Sequence, residues 1–350
     1  MDNEAVLCIC ISTYNRAEKI DNMVREILTC RSDKLKVVVV DDNSTDDTVK
    51  RLNNISDQRL CVYKNAFNLG AKGNWYETID KGRGKYLLHF LDRDYLNYLY
   101  LEKLIELLEN ETCGFGYIGN IFSMAPSKKK EDRITERYHK GSEALSMFAC
   151  TLVHPSGAIL KRESWNKLRG KKRIFESYDY GIYPHSYIFA MLAQREDGIR
   201  INYKMISISD VDHLGKYQSR FYERSKEKLK YWWTPEAHQW EMNCLTDFLC
   251  DQKAIRIPVL RSILSYRFAE NLSGATLIYQ ELSRDTENIR HYRMKKKFVT
   301  GIELLKINIK FIRNYMIFLL KDGFSIWKMQ LIVIIIKEGI ANAKDIIEYK

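Results

Sequence analysis

Proline is scarce in this chain, five residues in 350, and no stretch is rich in both glycine and serine. Without such linkers the chain does not read as beads on a string. One large α/β domain with an extension is the natural arrangement for this length. None of the eight cysteines form Cys-x-x-Cys, which removes the usual zinc and dithiol signatures. Cys8 and Cys10 alternate inside an apolar run, as thiols buried in a strand do, so a reduced, cytoplasmic chain is expected. Long hydrophobic runs are missing too. The longest near the end, Leu331 to Ile336, has six residues, whereas a membrane-spanning helix needs about 20. The opening residues, Met1-Asp2-Asn3-Glu4, are acidic where a secretory signal carries positive charge, so no export is expected.

What remains is a chain able to bury a core, with 45% apolar and 29% charged residues. Its 56 basic residues outnumber 45 acidic ones, a net charge of +11. Such an excess suits a phosphate-bearing ligand or an anionic surface. Most of it lies in residues 286–350, where thirteen Lys and Arg face six Asp and Glu.

The first half alternates short β-branched runs with helical patterns, the sign of a parallel sheet wrapped by helices. Strands are expected at Val6–Ile11, Lys36–Val40, Leu60–Tyr63 and Lys85–Leu91, then at Tyr117–Phe122 and Gly157–Lys161. Helices are expected over Ala17–Thr29, from near Asp46, over Lys72–Lys81 and Tyr98–Leu108, and at Ser186–Gln194. Three domains follow: 1–215 an α/β domain, 216–285 a helical and aromatic extension, and 286–350 a basic, amphipathic helical tail. The extension holds Trp232, Trp233 and Trp240, which either pack its core or stack on a ligand.

In an open parallel sheet, ligands bind beyond the carboxyl ends of the strands. The polar turns Ser12-Thr13-Tyr14-Asn15-Arg16, Asp41 to Asp46 and Asp92-Arg93-Asp94 all fall at such ends. The second also reads as a turn with Ser44 or Thr45 capping a helix. The third closes the apolar strand Tyr86 to Leu91, where acidic groups are costly. Two adjacent carboxylates repel, and a hard divalent cation relieves that repulsion while leaving positions for diphosphate oxygens.

On these turns, with Asn68-Leu69-Gly70 and Gly84-Lys85-Tyr86 between them, the chain resembles family 2 glycosyltransferases from about Val6 to about Ile208. The resemblance implies a GT-A fold, a mostly parallel sheet flanked by helices, here with a C-terminal helical extension. It implies an inverting hexosyl- or N-acetylhexosaminyltransferase that uses a nucleotide-diphosphate sugar, UDP-linked on this reading, with Mn2+ or Mg2+. Ser12 and Tyr14 would line the nucleotide pocket and Asp42 would accept from the base edge. Asn68 and Gly70 would pass close to the nucleotide, with Lys72 a further phosphate contact. Asp94, with Asp92 nearby, would hold the diphosphate through the metal. Ser156 and Gly157, in His154-Pro155-Ser156-Gly157-Ala158, would shape the sugar and acceptor pocket.

The sequence departs from the family pattern twice. Tyr95 stands where a further acid is common, so the metal leans on Asp94. No acid occupies Tyr183-Pro184-His185-Ser186-Tyr187, where relatives carry their catalytic Asp. His185 and Asp179 are the two candidates for the base that inversion needs. His213, Lys216 and Arg220 follow the last sheet-like segment and would neutralise the leaving diphosphate, unless they form a solvated face.

The basic tail reads either as a membrane-surface element or as a bundle packed on protein, another subunit included. A membrane surface would suit a lipid-linked saccharide acceptor in cell-envelope polysaccharide synthesis, on the inner face of the cell membrane. Alternatives are a non-catalytic saccharide- or nucleotide-binding relative and a nucleotidyltransferase. A nucleic-acid binder is disfavoured, because the basic excess sits in the tail rather than on a recognisable module.

Overall fold

The computed structural model describes residues 5–119, 134–149, 154–177, 180–181, 183–207, 235–251, 272, 301–321, 323 and 326–348. Contacts divide the chain into two compact units, one of Met1–Ser177 with Tyr183–Ser209 and one of Tyr178–Ile182 with Asp210–Lys350.

The first unit is built on β1 (Leu7–Thr13), β2 (Leu35–Asp41), β3 (Leu60–Lys64) and β4 (Tyr86–Leu91), all parallel. β2 contains four consecutive valines, and both of its faces are buried. Runs of that kind form the centre of parallel sheets, where helices cover each side. Between the strands lie α1 (Ala17–Leu28), α2 (Thr48–Asn53) and α3 (Gly70–Lys81). α1 buries Ile20, Met23, Val24 and Ile27, one stripe at helical spacing, and leaves its charged residues outside. α4 (Leu101–Glu109) repeats the pattern with Leu101, Leu104, Ile105 and Leu108.

Beyond β4 the sheet becomes mixed. β8 (Ala158–Lys161) pairs antiparallel with β4 and with β6 (Phe115–Ile118). β9 (Gly198–Ile201) runs parallel to β6, and β7 (Thr135–Tyr138) closes the edge antiparallel to β9. The full order is β3-β2-β1-β4-β8-β6-β9-β7. A separate two-stranded ribbon pairs β5 (Tyr95–Leu96) with β10 (Ile206–Ser207). Short helices α5 (Ser142–Phe148), α6 (Arg162–Lys167), α7 (Lys171–Glu176) and α8 (Pro184–Ala193) complete the unit.

Three sequence expectations shift. The helix anticipated near Asp46 begins at Thr48, and neither Ser44 nor Thr45 caps it. Instead the Asp46 carboxylate accepts from the Thr48 backbone N–H at 3.0 Å. The strand anticipated over Tyr117–Phe122 ends at Ile118, and residues 120–133 lie outside the described set. The short strands at 135–138, 198–201 and 206–207 were not anticipated.

The second unit contains α9 (Pro235–Asp251), α10 (Gly301–Leu320) and α11 (Ile326–Glu348). α10 packs on α9, where Tyr315 OH lies 2.8 Å from Thr246 Oγ1. Asn308 of α10 donates to the Gly339 carbonyl of α11 at 3.1 Å. A Cβ on Gly339 would fall 2.2 Å from Ile312 Cδ1, so the small residue permits this approach of the two helices. Trp240 is on α9, whereas Trp232 and Trp233 lie outside the described residues. No helix among the described residues is long and apolar enough to cross a membrane.

Candidate active site

The carboxyl ends of β1, β2 and β4 are neighbours, because β1 pairs with both of the others. The turns after β1 and β2 each contain an asparagine in the left-handed region, Asn15 at φ 51° and Asn43 at φ 62°. Asparagine tolerates that conformation better than most residues. The two turns are tied together by Asn15 N–H donating to Ser44 Oγ at 2.7 Å and Thr45 N–H to Asn15 Oδ1 at 2.9 Å.

Asp42, 3% exposed, accepts from the backbone N–H groups of Leu69 (2.7 Å) and Gly70 (2.9 Å) and from Asn65 Nδ2 at 3.1 Å. Burial raises its pKa, and those three donors oppose the rise. Its carboxylate therefore anchors the start of α3, where Gly70 has φ +76°. Asn68 Nδ2 adds a bond to the Asp42 carbonyl at 3.0 Å. Asn74, a residue that the sequence reading missed, donates to the carbonyls of Val40 at 3.0 Å and Thr13 at 3.3 Å, stitching α3 to both strand ends. Lys72 is buried on the same helix, and Tyr14 is half-buried.

The two acids after β4 have different partners. Asp92 accepts from Thr13 Oγ1 at 2.8 Å and pairs with Arg16 Nε at 3.3 Å. Burial raises its pKa, while Arg16, Thr13 and the Tyr14 N–H pull it down. Asp94, fully buried, accepts from the Ser156 hydroxyl, and Ser156 Oγ in turn accepts from Leu91 N–H at 3.0 Å. His154 Nε2 lies 3.6 Å from the same Asp94 oxygen. Burial pushes the His154 pKa down to about 4, with Asp94 opposing, so the ring is neutral near pH 7. Its Nδ1 accepts from Ser156 N–H at 3.3 Å. The proton then sits on Nε2, and the ring presents an N–H rather than a lone pair to Asp94. Gly157, at φ +103°, brings the turn against the sheet, where a Cβ would lie 2.7 Å from the Ile118 carbonyl oxygen.

Among the described residues no group of three or more His, Cys, Asp or Glu side chains is placed to hold a metal ion. With Asp92 ion-paired, Asp94 is the carboxylate that suits a cation. One or two carboxylates are what a magnesium-type site takes when phosphate oxygens supply the rest. A cleft of about 470 Å³ opens along α1 and β5, lined by Glu18, Lys19, Asn22, Asp94, Tyr95 and Leu96 among others.

The other expected residues are placed differently from one another. Ser12 Oγ lies 3.0 Å from Thr78 Oγ1 and 3.4 Å from His89 Nε2, within the body of the unit. His185 is in the first turn of α8, 1% exposed, with its ring 5.5 Å from Trp75 and 6.2 Å from Phe189. Asp179, His213, Lys216 and Arg220 lie outside the described residues.

The sheet order, the turns at its carboxyl edge and the acidic pair after β4 define a GT-A fold, and comparison with known proteins agrees. The crystal structure of S. aureus TarS 1–349 superposes with a TM-score of 0.57 at 14% identity, covering 98% of this chain and 90% of that one. Residues 8–169 match the model of glycosyl transferase family 2. An Escherichia coli protein, the UDP-Glc:alpha-D-GlcNAc-diphosphoundecaprenol beta-1,3-glucosyltransferase WfaP, is 29% identical over 112 residues, 32% of this chain and 45% of WfaP. An uncharacterized glycosyltransferase of Haemophilus influenzae is 28% identical over 111 residues, 31% of this chain and 34% of the relative. The chain thus spans less than half the length of both relatives.

Proposed function

We propose that this protein is an inverting glycosyltransferase that moves a hexosyl or N-acetylhexosaminyl group from a UDP-sugar to a lipid-linked saccharide. The observation that carries the reading is Asp94, a carboxylate buried at the edge of a GT-A sheet and held by the Ser156 hydroxyl, which itself accepts from Leu91 N–H. Support for the UDP donor and the lipid-linked acceptor comes from the activity of WfaP, which is 29% identical to this chain over 112 residues. In this reading Tyr14 lies against the base, and Asp42 faces the base edge while also holding the turn at Asn68 and Gly70. Lys72, with His213, Lys216 and Arg220, offsets the charge of the leaving diphosphate. A Mn2+ or Mg2+ ion bound at Asp94 would screen that charge further. Arg16 holds Asp92 in place beside it and opposes the rise in pKa that burial imposes on that carboxyl. Ser156 orients Asp94, and the neighbouring cleft along α1 and β5 offers room for the sugar or acceptor.

Inversion places the acceptor hydroxyl opposite the departing diphosphate, and its proton passes to a base on that side. His185 and Asp179 are the two candidates, and the closed surroundings of His185 make Asp179 the first to test. A base must come within about 3 Å of the hydroxyl, directly or through one water. The experiment has two parts. First, a panel of nucleotide sugars is screened for slow hydrolysis, with UDP-sugars expected to be turned over and others not. Second, Asp179→Asn and His185→Asn are measured for UDP binding and for turnover separately. Loss of turnover with intact UDP binding identifies the base; full turnover in both variants excludes both. No hydrolysis of any nucleotide sugar, with UDP still bound, would favour the non-catalytic binding relative.

A further inference from the structure

Thirteen large apolar side chains are exposed among the described residues, and nine of them lie on α10 and α11. On α11 they are Ile326, Met329, Val333, Ile336 and Ile340, spaced three and four residues apart. At about 100° per residue these five fall within a single narrow stripe. The stripe is not part of the helical core, because Leu331, Ile332 and Ile335 occupy the buried side of the same helix. α10 is built likewise, with Leu304, Phe311, Tyr315 and Leu319 inside and Ile302, Ile309 and Ile317 outside. Contiguous exposed apolar surface of this kind marks an interaction site.

In sequence α10 and α11 carry six Lys and Arg against four Asp and Glu, a basic balance that suits an anionic partner. The charged side chains described as exposed on α10 and α11 are Lys306, Lys310, Arg313, Lys337 and Lys344, all basic. Lys310 pairs with Glu236 of α9 at 3.3 Å, whereas the other four make no ion pair among the described residues. Lys337 and Lys344 flank the α11 stripe on the helix surface. An apolar stripe bordered by unpaired cations complements a bilayer surface with anionic headgroups, where the apolar side chains enter the acyl boundary and the cations meet phosphate. Since neither helix is apolar enough to cross, the element would lie in the interface. We infer that α10 and α11 dock this protein on an anionic membrane surface. The inference extends the lipid-linked-acceptor reading and rests on it for its purpose, since docking brings the enzyme to an acceptor fixed in the same membrane.

The test uses the full chain, free of nucleotide, sedimented with vesicles of phosphatidylcholine alone or of phosphatidylcholine with phosphatidylglycerol. Circular dichroism and light-scattering mass are recorded for every variant. The wild type should bind the anionic vesicles and leave the neutral ones. Ile336→Ser with Ile340→Ser, and separately Lys337→Glu with Lys344→Glu, should each lower binding at least tenfold with helicity unchanged. Equal binding to both vesicle types, or wild-type binding by both variants, would overturn the inference. So would an oligomer in solution that ignores vesicles and becomes monomeric in the Ile336→Ser/Ile340→Ser variant, which would assign the stripe to a second copy of this chain. Donor hydrolysis in lipid-free buffer, measured alongside, reports on the transfer reading alone and should be unchanged in both variants.

Discussion

Ser156→Ala removes one oxygen from the centre of the site, and its cost can be worked from two bonds. The hydroxyl accepts from Leu91 N–H at 3.0 Å and donates to the Asp94 carboxylate, and the residue is fully buried. A neutral buried bond contributes about 1 kcal/mol, and one to a charged group about 1.5 to 3 kcal/mol. No water is expected to fill the place of so small a group within a packed turn. The variant should therefore lose about 2 to 4 kcal/mol, an amount a domain of typical stability survives. Two measurements check this. Hydrogen exchange should show the Leu91 amide losing protection, while amides in the middle of β1 and β2 keep theirs relative to global opening. Calorimetry should show weaker Mn2+-dependent UDP binding, because Asp94 loses the donor that orients it. Ser156→Thr, which keeps the hydroxyl, should bind UDP better than the alanine variant if the added methyl is accommodated. Unchanged Leu91 protection together with unchanged stability in Ser156→Ala would refute the idea that this hydroxyl holds Asp94.

Other outcomes follow from the same geometry. Burial lowers the His89 pKa to about 3, and its Nδ1 lies 3.3 Å from the Pro155 carbonyl. A histidine held neutral by the fold stabilises fully above its unfolded pKa near 6.5 and loses that contribution as pH falls toward the folded value. By pH 5 the loss is about 2 kcal/mol, so urea unfolding should show a slope there that His89→Asn flattens. Gly157→Ala should destabilise by about 2 kcal/mol or more, because its φ is +103° and the new Cβ would meet the Ile118 carbonyl at 2.7 Å; thermal melts check this. Asp42→Asn places an amide N–H against one of two backbone donors, Leu69 or Gly70. It should raise amide exchange at the start of α3 and weaken UDP binding, and unchanged exchange would remove Asp42 as the anchor of that turn.

Much of this fold is legible in the sequence because its first half follows simple periodicities. Four valines in a row and the leucines of α4 leave little choice of structure, and the strands and helices through Leu108 fall within a few residues of expectation. The short strands β7, β9 and β10 escaped, since two to four residues give no period and their pairing is set by distant partners such as β6. In the site, the acidic and hydroxyl-bearing turns were visible as polar residues at strand ends. Their division of labour was not. Asp92 and Asp94 look equivalent in sequence, yet Arg16 and Thr13 claim the first and Ser156 the second. Arg16, seventy-six residues away in the chain, gives no local sign of that pairing. Asn74 was missed because an asparagine inside a helix carries no motif, although a polar residue on a helix face turned toward the sheet is a signal worth weighing. The bond from the Ser156 hydroxyl to a carboxylate sixty-two residues earlier was not visible either, a contact only the sheet order creates.

The most direct test is titration calorimetry of UDP into the wild type and Asp94→Ala, each with Mn2+ and with a chelator. In the wild type, Mn2+ should tighten UDP binding at least tenfold, and in Asp94→Ala the metal should make no difference while metal-free binding persists. Equal metal enhancement in both proteins would remove Asp94, and the cation it is proposed to hold, from the chemistry of this site.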